Sequence, residues 1–120
     1  MINIEEYDSQ NVFAKILRNE LPSNKIFENE EILAFSDINP QASVHVVVIT
    51  KEKFCSFKDF SKNASDKCIT SLIRGISKIA KKLNLSKGYR IVCNVGHYGG
   101  QVVPHLHFHI LGGERLWQKL

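Results

Sequence analysis

The sequence predicts an α+β domain spanning residues 1–120, built on a mostly antiparallel sheet of about five strands with two helices. Two stretches carry apolar residues at helical spacing, and five short runs rich in Val, Ile, Phe and Tyr are separated by turn residues. No repeat, linker or low-complexity tract divides the chain, and 120 residues can bury roughly two-thirds of their unfolded surface.

Beyond a polar leader at residues 1–11, Asn11 is placed to cap a helix in which Val12, Phe13, Ile16 and Leu17 recur until Leu21-Pro22 stops it. Ile26-Phe27 reads as a first strand, Asn29-Glu30-Glu31 as a tight turn, and residues 32–36 as the hairpin partner. Residues 37–42 form a loop around Asn39-Pro40, and Val44 to Ile49 is the next strand. Its run Val46-Val47-Val48-Ile49 is apolar on both faces, which suits a central strand, and His45 stands at its beginning. From Asp66 to Leu83, Ile69, Leu72, Ile73, Ile76, Ile79, Ala80 and Leu83 repeat every three or four positions, giving the longest helix. Gly75 interrupts this helix at a cost of about 1 kcal/mol against alanine, a cost that suits close approach by another backbone. Tyr89 to Asn94 forms a fourth strand, and a loop bearing Gly96, His97, Gly99 and Gly100 leads through Pro104 into the last one.

Composition narrows the function classes. Forty-three per cent apolar against 23% charged residues favours neither disorder nor a membrane, and no apolar run approaches 18 residues. The acidic start lacks the charge and apolar block of a secretory signal, so a cytoplasmic location is the expectation. Cys55, Cys68 and Cys93 are odd in number and widely spaced, which argues against disulfides or a zinc knuckle and for small buried hydrophobes. The net charge of +4 favours anionic small molecules, and the lysines are too interrupted to mark a specific nucleic-acid surface.

The last strand concentrates the chemistry. In His105-Leu106-His107-Phe108-His109-Ile110-Leu111, strict alternation sends Leu106, Phe108 and Ile110 to the core and the three histidines to the other face. Folding does not require imidazoles there. As metal ligands, His105 and His109 stand about 13 Å apart along the strand, too far for one tetrahedral centre, so recruits such as His45 or Cys93 would be needed, and carboxylates are scarce, with Asp37 the only acidic residue close in sequence to a strand end and glycine loop. As phosphate chemistry, a neutral imidazole can attack phosphorus while its neighbours supply or orient protons, and the glycine loop offers backbone N–H groups to an anion. A histidine-rich exposed face without chemistry is the third alternative.

The same motif, histidines alternating with apolar residues and ending in two more apolar positions, resembles the defining signature of the histidine triad (HIT) superfamily. Phe13-Ala14-Lys15-Ile16-Leu17-Arg18, residues 33–42, Gly88-Tyr89-Arg90 and Gly99-Gly100-Gln101 look like its Hint branch of nucleotide-binding proteins. The resemblance implies a HIT-like fold joined across a homodimer. It also implies hydrolase or transferase activity at the α-phosphate of purine nucleotide conjugates, without cofactor or metal, releasing a nucleoside monophosphate from phosphoramidates or acyl-adenylates. On this resemblance His107 is the nucleophile and His109 holds the phosphate oxygens. His105 orients His107, and His45 completes a relay that tunes its proton. Asp37 binds the ribose hydroxyls, Phe13, Phe35 and Ile38 wall the base, and Asn94, Gly100, Gln101 and Val102 lie on the phosphate side. His97 has no family role.

Two features depart from the family pattern. Val102 stands where serine is usual beside the leaving group, and the tail at residues 114–120 replaces a Trp-Pro-Pro-Gly ending, displacing Trp117. The alternatives are a dinucleoside polyphosphate hydrolase, or a nucleotide- or zinc-binding interaction protein with incidental catalysis.

Overall fold

A computed structural model describes residues 1–116, so Trp117 and most of the divergent tail lie outside the described residues. The elements are α1 (Val12–Leu17), β1 (Lys25–Glu28), β2 (Ile32–Ser36), β3 (Val44–Thr50), α2 (Phe57–Asn63), α3 (Asp66–Lys82), β4 (Arg90–Val92) and β5 (His107–Gly112). The five strands form one antiparallel sheet in the order β1-β2-β3-β5-β4. The α+β class and strand number agree with the sequence reading, and there is one helix more than expected.

That helix is α2. Ser56 caps it by accepting from Asp59 N–H, while the Asp59 carboxylate accepts from Cys55 N–H, one residue ahead of the cap. Phe60 is buried against Phe54 with ring centroids 5.2 Å apart, so this polar-looking segment is a short amphipathic helix of 7 residues. In α1 the helix ends at Leu17, short of Leu21-Pro22, because Asn19 takes a left-handed conformation at φ 61° and Glu20 N–H closes back on the Lys15 carbonyl.

Both sheet faces are buried, which accounts for the continuous apolar runs in β2 and β3. On one face Ile32, Ala34, Val46, Val48, Phe108 and Ile110 pack against Leu72, Ile76 and Ile79 of α3. On the other, Leu33, Phe35, Val47 and Ile49 pack under Phe13 and Ile16 of α1. The α3 stripe is narrower than the sequence suggested, since Ile73 is 57% exposed. Cys55 and Cys68 are buried and Cys93 half-buried, all free thiols, as expected of small hydrophobes. No helix among the described residues is long and apolar enough to cross a membrane.

Gly75 faces a side chain, not a backbone: a Cβ there would lie 2.4 Å from Ile32 Cδ1, a fully buried atom of β2. Gly75→Ala will therefore lose by overpacking more than the ~1 kcal/mol that helix propensity returns. In an Ile32→Val background, which removes that methyl, the same substitution will stabilise. Urea midpoints of the four proteins should give a favourable coupling of about 1–2 kcal/mol, and additive effects would refute the clash.

Candidate active site

The histidines lie on the α1 side of the sheet, where the β3–β5 register is decisive. Val47 pairs with His109 and Ile49 with His107, while His45 pairs with Leu111 and sits diagonally beside His109 on the same face. The ladder stops at the Ile49–His107 pair, so His105 lies before β5 and not within it as the alternation implied. The reason is local. Leu106 N–H turns to the Phe54 carbonyl, and the fully buried His105 imidazole takes the next β3 carbonyl, Thr50, through Nε2 at 2.7 Å.

Hydrogen-bond partners settle where each imidazole carries its proton. A carbonyl oxygen can only accept, so His107 Nδ1, 2.7 Å from the His105 carbonyl, bears the hydrogen and Nε2 keeps the lone pair. Thus His105 acts on His107 through its main chain, not its ring. His105 Nε2 likewise bears the hydrogen that faces Thr50, which leaves His105 Nδ1 to accept from the Tyr7 hydroxyl at 2.5 Å. His45 Nδ1 accepts from Gln41 N–H at 3.0 Å, so His45 donates from Nε2 to His109 Nδ1 at 2.9 Å. His109 is left with a hydrogen on Nε2. One neighbour of His107 is thus a donor, and His107 itself offers an unprotonated nitrogen.

Asp37 joins this set. Its Oδ2 lies 3.3 Å from His45 Nε2 and 4.0 Å from His109 Nδ1, while Oδ1 accepts from Asn39 N–H in an Asx turn. Asp37, His45 and His109 each bring a ligand-type atom within 4.8 Å of the others, spacing that a tetrahedral metal ion would fit. Their outer partners do not suit one. A metal on His45 Nε2 would force the hydrogen onto Nδ1, against the Gln41 N–H that points there, whereas metal-bound histidines turn their second N–H to an acceptor. Hydrogen bonding and close approach instead link His45 to both His109 and Asp37.

The remaining expected residues divide. The Phe13 ring meets His107 edge-on at 4.9 Å and Phe35 at 5.7 Å, forming an apolar wall beside the nucleophile candidate. Ile38 is fully exposed on the 37–42 loop. Asn94 Nδ2 donates to the Gly99 carbonyl. Gln101, expected beside the phosphate, has its side chain turned inward: Nε2 donates to the Cys55 and Val103 carbonyls and Oε1 accepts from Gly96 N–H. Gly100 N–H closes on the His97 carbonyl, so the amides of Gly96 and Gly100 hold the loop together and do not form an open anion nest. Gly96 and Gly100 take φ of 70° and 78°, conformations that strain other residues. Val102 is exposed and lines a cleft of about 490 Å³ with Pro104, Asn3, Glu6, Tyr7 and Asp8. A larger cavity of about 740 Å³, between residues 84–88 and 113–115, contains none of the histidines. His97 is exposed against Tyr98.

A HIT domain profile matches residues 18–116. The chain belongs to the HIT family. An uncharacterized 13.2 kDa HIT-like protein of Azospirillum brasilense is 46% identical over 111 residues, 92% of this chain and 91% of its own length. A HIT family hydrolase from Clostridium thermocellum shares 39% identity, and its solved structure superposes at a TM-score of 0.85 over 94% of this chain and 98% of that one. A histidine triad nucleotide-binding protein from Candida albicans is 28% identical, with a TM-score of 0.76 over 92% of this chain and 85% of its own. This HIT chain therefore has the fold of the family's hydrolases.

Around this site, sequence reasoning missed Tyr7, Thr50 and Glu114. Tyr7 is the one aromatic in a segment read as a polar leader, the only signal it offered. Thr50 contributes a main-chain carbonyl, which no side-chain pattern reports. Glu114 Oε1 accepts from both Ser43 N–H and Oγ, tying the start of the tail to the loop between Asp37 and His45.

Burial pushes the His105 imidazole down to about 4, despite the Thr50 carbonyl favouring its charged form. Burial, then His107 and His45 nearby, pushes His109 down to about 4 as well, and burial also lowers His107. All three are neutral at pH 7. In the unfolded chain these imidazoles protonate near the ordinary 6.5, so between about 6.5 and 4 the unfolded state binds more protons. Stability will accordingly be full above pH 6.5 and fall as the pH drops toward 4. Urea midpoints at pH 7.5, 6 and 5 should decline in that order, and a flat series would contradict neutral burial.

Proposed function

We propose that this chain is a Hint-like nucleotide hydrolase or transferase, cutting purine nucleotide conjugates of the phosphoramidate or acyl-adenylate type at the α-phosphate. The observation that carries the reading is the His105 carbonyl holding His107 Nδ1–H, which leaves the Nε2 lone pair free to attack. His107 Nε2 bonds to the α-phosphorus as the bond from phosphorus to the leaving group breaks. His109 Nε2–H, backed by His45, donates to the phosphate oxygens or to the departing atom. Water then attacks phosphorus and gives its proton to His109 Nε2, the P–N bond to His107 breaks, and the nucleoside monophosphate leaves.

The Asp37 carboxylate has lone pairs beyond those facing Asn39 and His45, and accepts from the ribose hydroxyls. Phe13 and Phe35 support the base from the buried side, with Ile38 at the outer rim. Asn94, Gly100 and Gln101 act by shaping the loop. Val102 brings no hydroxyl to the leaving group, so proton supply falls to His109. A homodimer and a cytoplasmic location complete the proposal. The fold of HIT family hydrolases and the name of the Candida albicans relative as a nucleotide-binding protein support it.

Turnover of a fluorogenic adenosine phosphoramidate tests this. His107→Ala should lose at least about 10⁴-fold in kcat and His109→Ala about 10²–10³-fold. Mass spectrometry of rapidly quenched wild-type protein should find a nucleotidyl adduct on His107. Undiminished turnover by His107→Ala would exclude the nucleophile. EDTA should leave the rate unchanged; loss of activity restored by zinc would instead favour the metal reading of Asp37, His45 and His109.

A further inference from the structure

The imidazole of His105 is clamped at both nitrogens, and the second clamp comes from outside the sheet. Nε2–H reaches Thr50 at the end of β3, and Nδ1 receives the Tyr7 hydroxyl from the N-terminal segment. The Tyr7 and His105 rings also meet edge-on, with centroids 5.5 Å apart. Burial raises the Tyr7 hydroxyl above its ordinary range, so it keeps the proton it donates. The segment is itself tethered: Asn11 N–H and Nδ2 donate to the Asp8 carbonyl, Arg18 donates to the Ser9 carbonyl, and Lys53 Nζ lies 5.9 Å from the Tyr7 ring centroid.

His105 precedes β5, so sheet pairing does not orient its carbonyl. The two ring hydrogen bonds, with Leu106 N–H on Phe54, orient it instead. That same carbonyl accepts from His107 Nδ1–H. We propose that Tyr7 is a positioning residue for His107, its hydroxyl fixing the His105 ring and thereby aiming the carbonyl that holds the nucleophilic imidazole. This deepens the proposed function and rests on His107 being the nucleophile. It gives the polar leader a catalytic purpose, since without Tyr7 a buried acceptor nitrogen loses its donor and the ring is free to tilt. A misplacement of about 1 Å at the reacting atom is enough to cost up to ~10²-fold in rate.

Wild type, Tyr7→Phe and Tyr7→Ala are to be compared by kcat and KM on the adenosine phosphoramidate, and by nitrogen-15 NMR of histidine-labelled protein. Phe keeps the ring contact and removes only the donor. Tyr7→Phe should lower kcat about ten- to hundredfold with KM within about twofold, and move the His105 Nδ1 resonance downfield. Equal kcat for Phe and wild type, with loss only in Ala, would overturn the proposal in favour of simple packing. Should the variants fail to fold, wild-type NMR still decides: a His105 Nδ1 resonance typical of a nitrogen without a hydrogen bond overturns it. Wild type without turnover overturns the nucleophile reading and this one with it, whereas an active wild type matched by Tyr7→Phe overturns this one alone.

Discussion

The 2.7 Å hydrogen bond from His107 Nδ1–H to the His105 carbonyl is the constraint on which the site depends. A main-chain carbonyl has no hydrogen to give, so the tautomer of His107 follows from geometry alone and does not vary with pH while the imidazole is neutral. Everything around it keeps the two residues in that relation. The β3–β5 register stops where His105 begins, and the Thr50 carbonyl that would have continued the ladder is taken by an imidazole. Burial then keeps the ring uncharged, because a charged imidazole would lose solvation that these neighbours do not replace.

The second dependence is the two-sided sheet. α3 packs one face over a broad apolar core, which leaves the other face free to carry polar groups under a short helix. α1 covers part of it with Phe13 and Ile16 and stops early, so His107 and His109 lie at the edge of an apolar patch instead of beneath it. The 37–43 loop supplies the remaining wall. It is held by Asp37 N–H on the His45 carbonyl, by Gln41 on the His45 ring and by Glu114 on Ser43. His45 and the loop thus position each other.

Much of the fold was legible because its signals are local. Asn11, with Val12, Phe13 and Ile16 behind it, and Asp66 to Leu83 carry helical periodicity, and β2 and β3 stand out as apolar runs between turn residues. The end of α1 is less legible, because Asn19 enters the left-handed region ahead of Pro22, the stronger local stop signal. α2 is not legible locally because its cap and two phenylalanines lie among lysines and serines, and only packing against Phe54 shows which face is apolar. Gly75 signals only close approach, and that the occupant is the Ile32 side chain is information that resides on another element, β2.

For the site, the alternation of His105, His107 and His109 was enough by itself to place three imidazoles on one face, since period-two placement is a property of any strand. The sequence also held His45 and Asp37 as candidates. What tertiary structure alone decided is how these groups are wired. Whether a nitrogen donates or accepts depends on partners 55 to 98 residues away: Thr50 and Tyr7 for His105, and His45 for His109. The same packing turned Gln101 inward and drew Tyr7 out of an apparently featureless leader. Periodicity reports which face a side chain takes, but not which distant carbonyl or hydroxyl waits there. Only the folded chain supplies those partners, and it also turns the His105 carbonyl, two residues before His107, onto Nδ1, the contact that leaves Nε2 unprotonated.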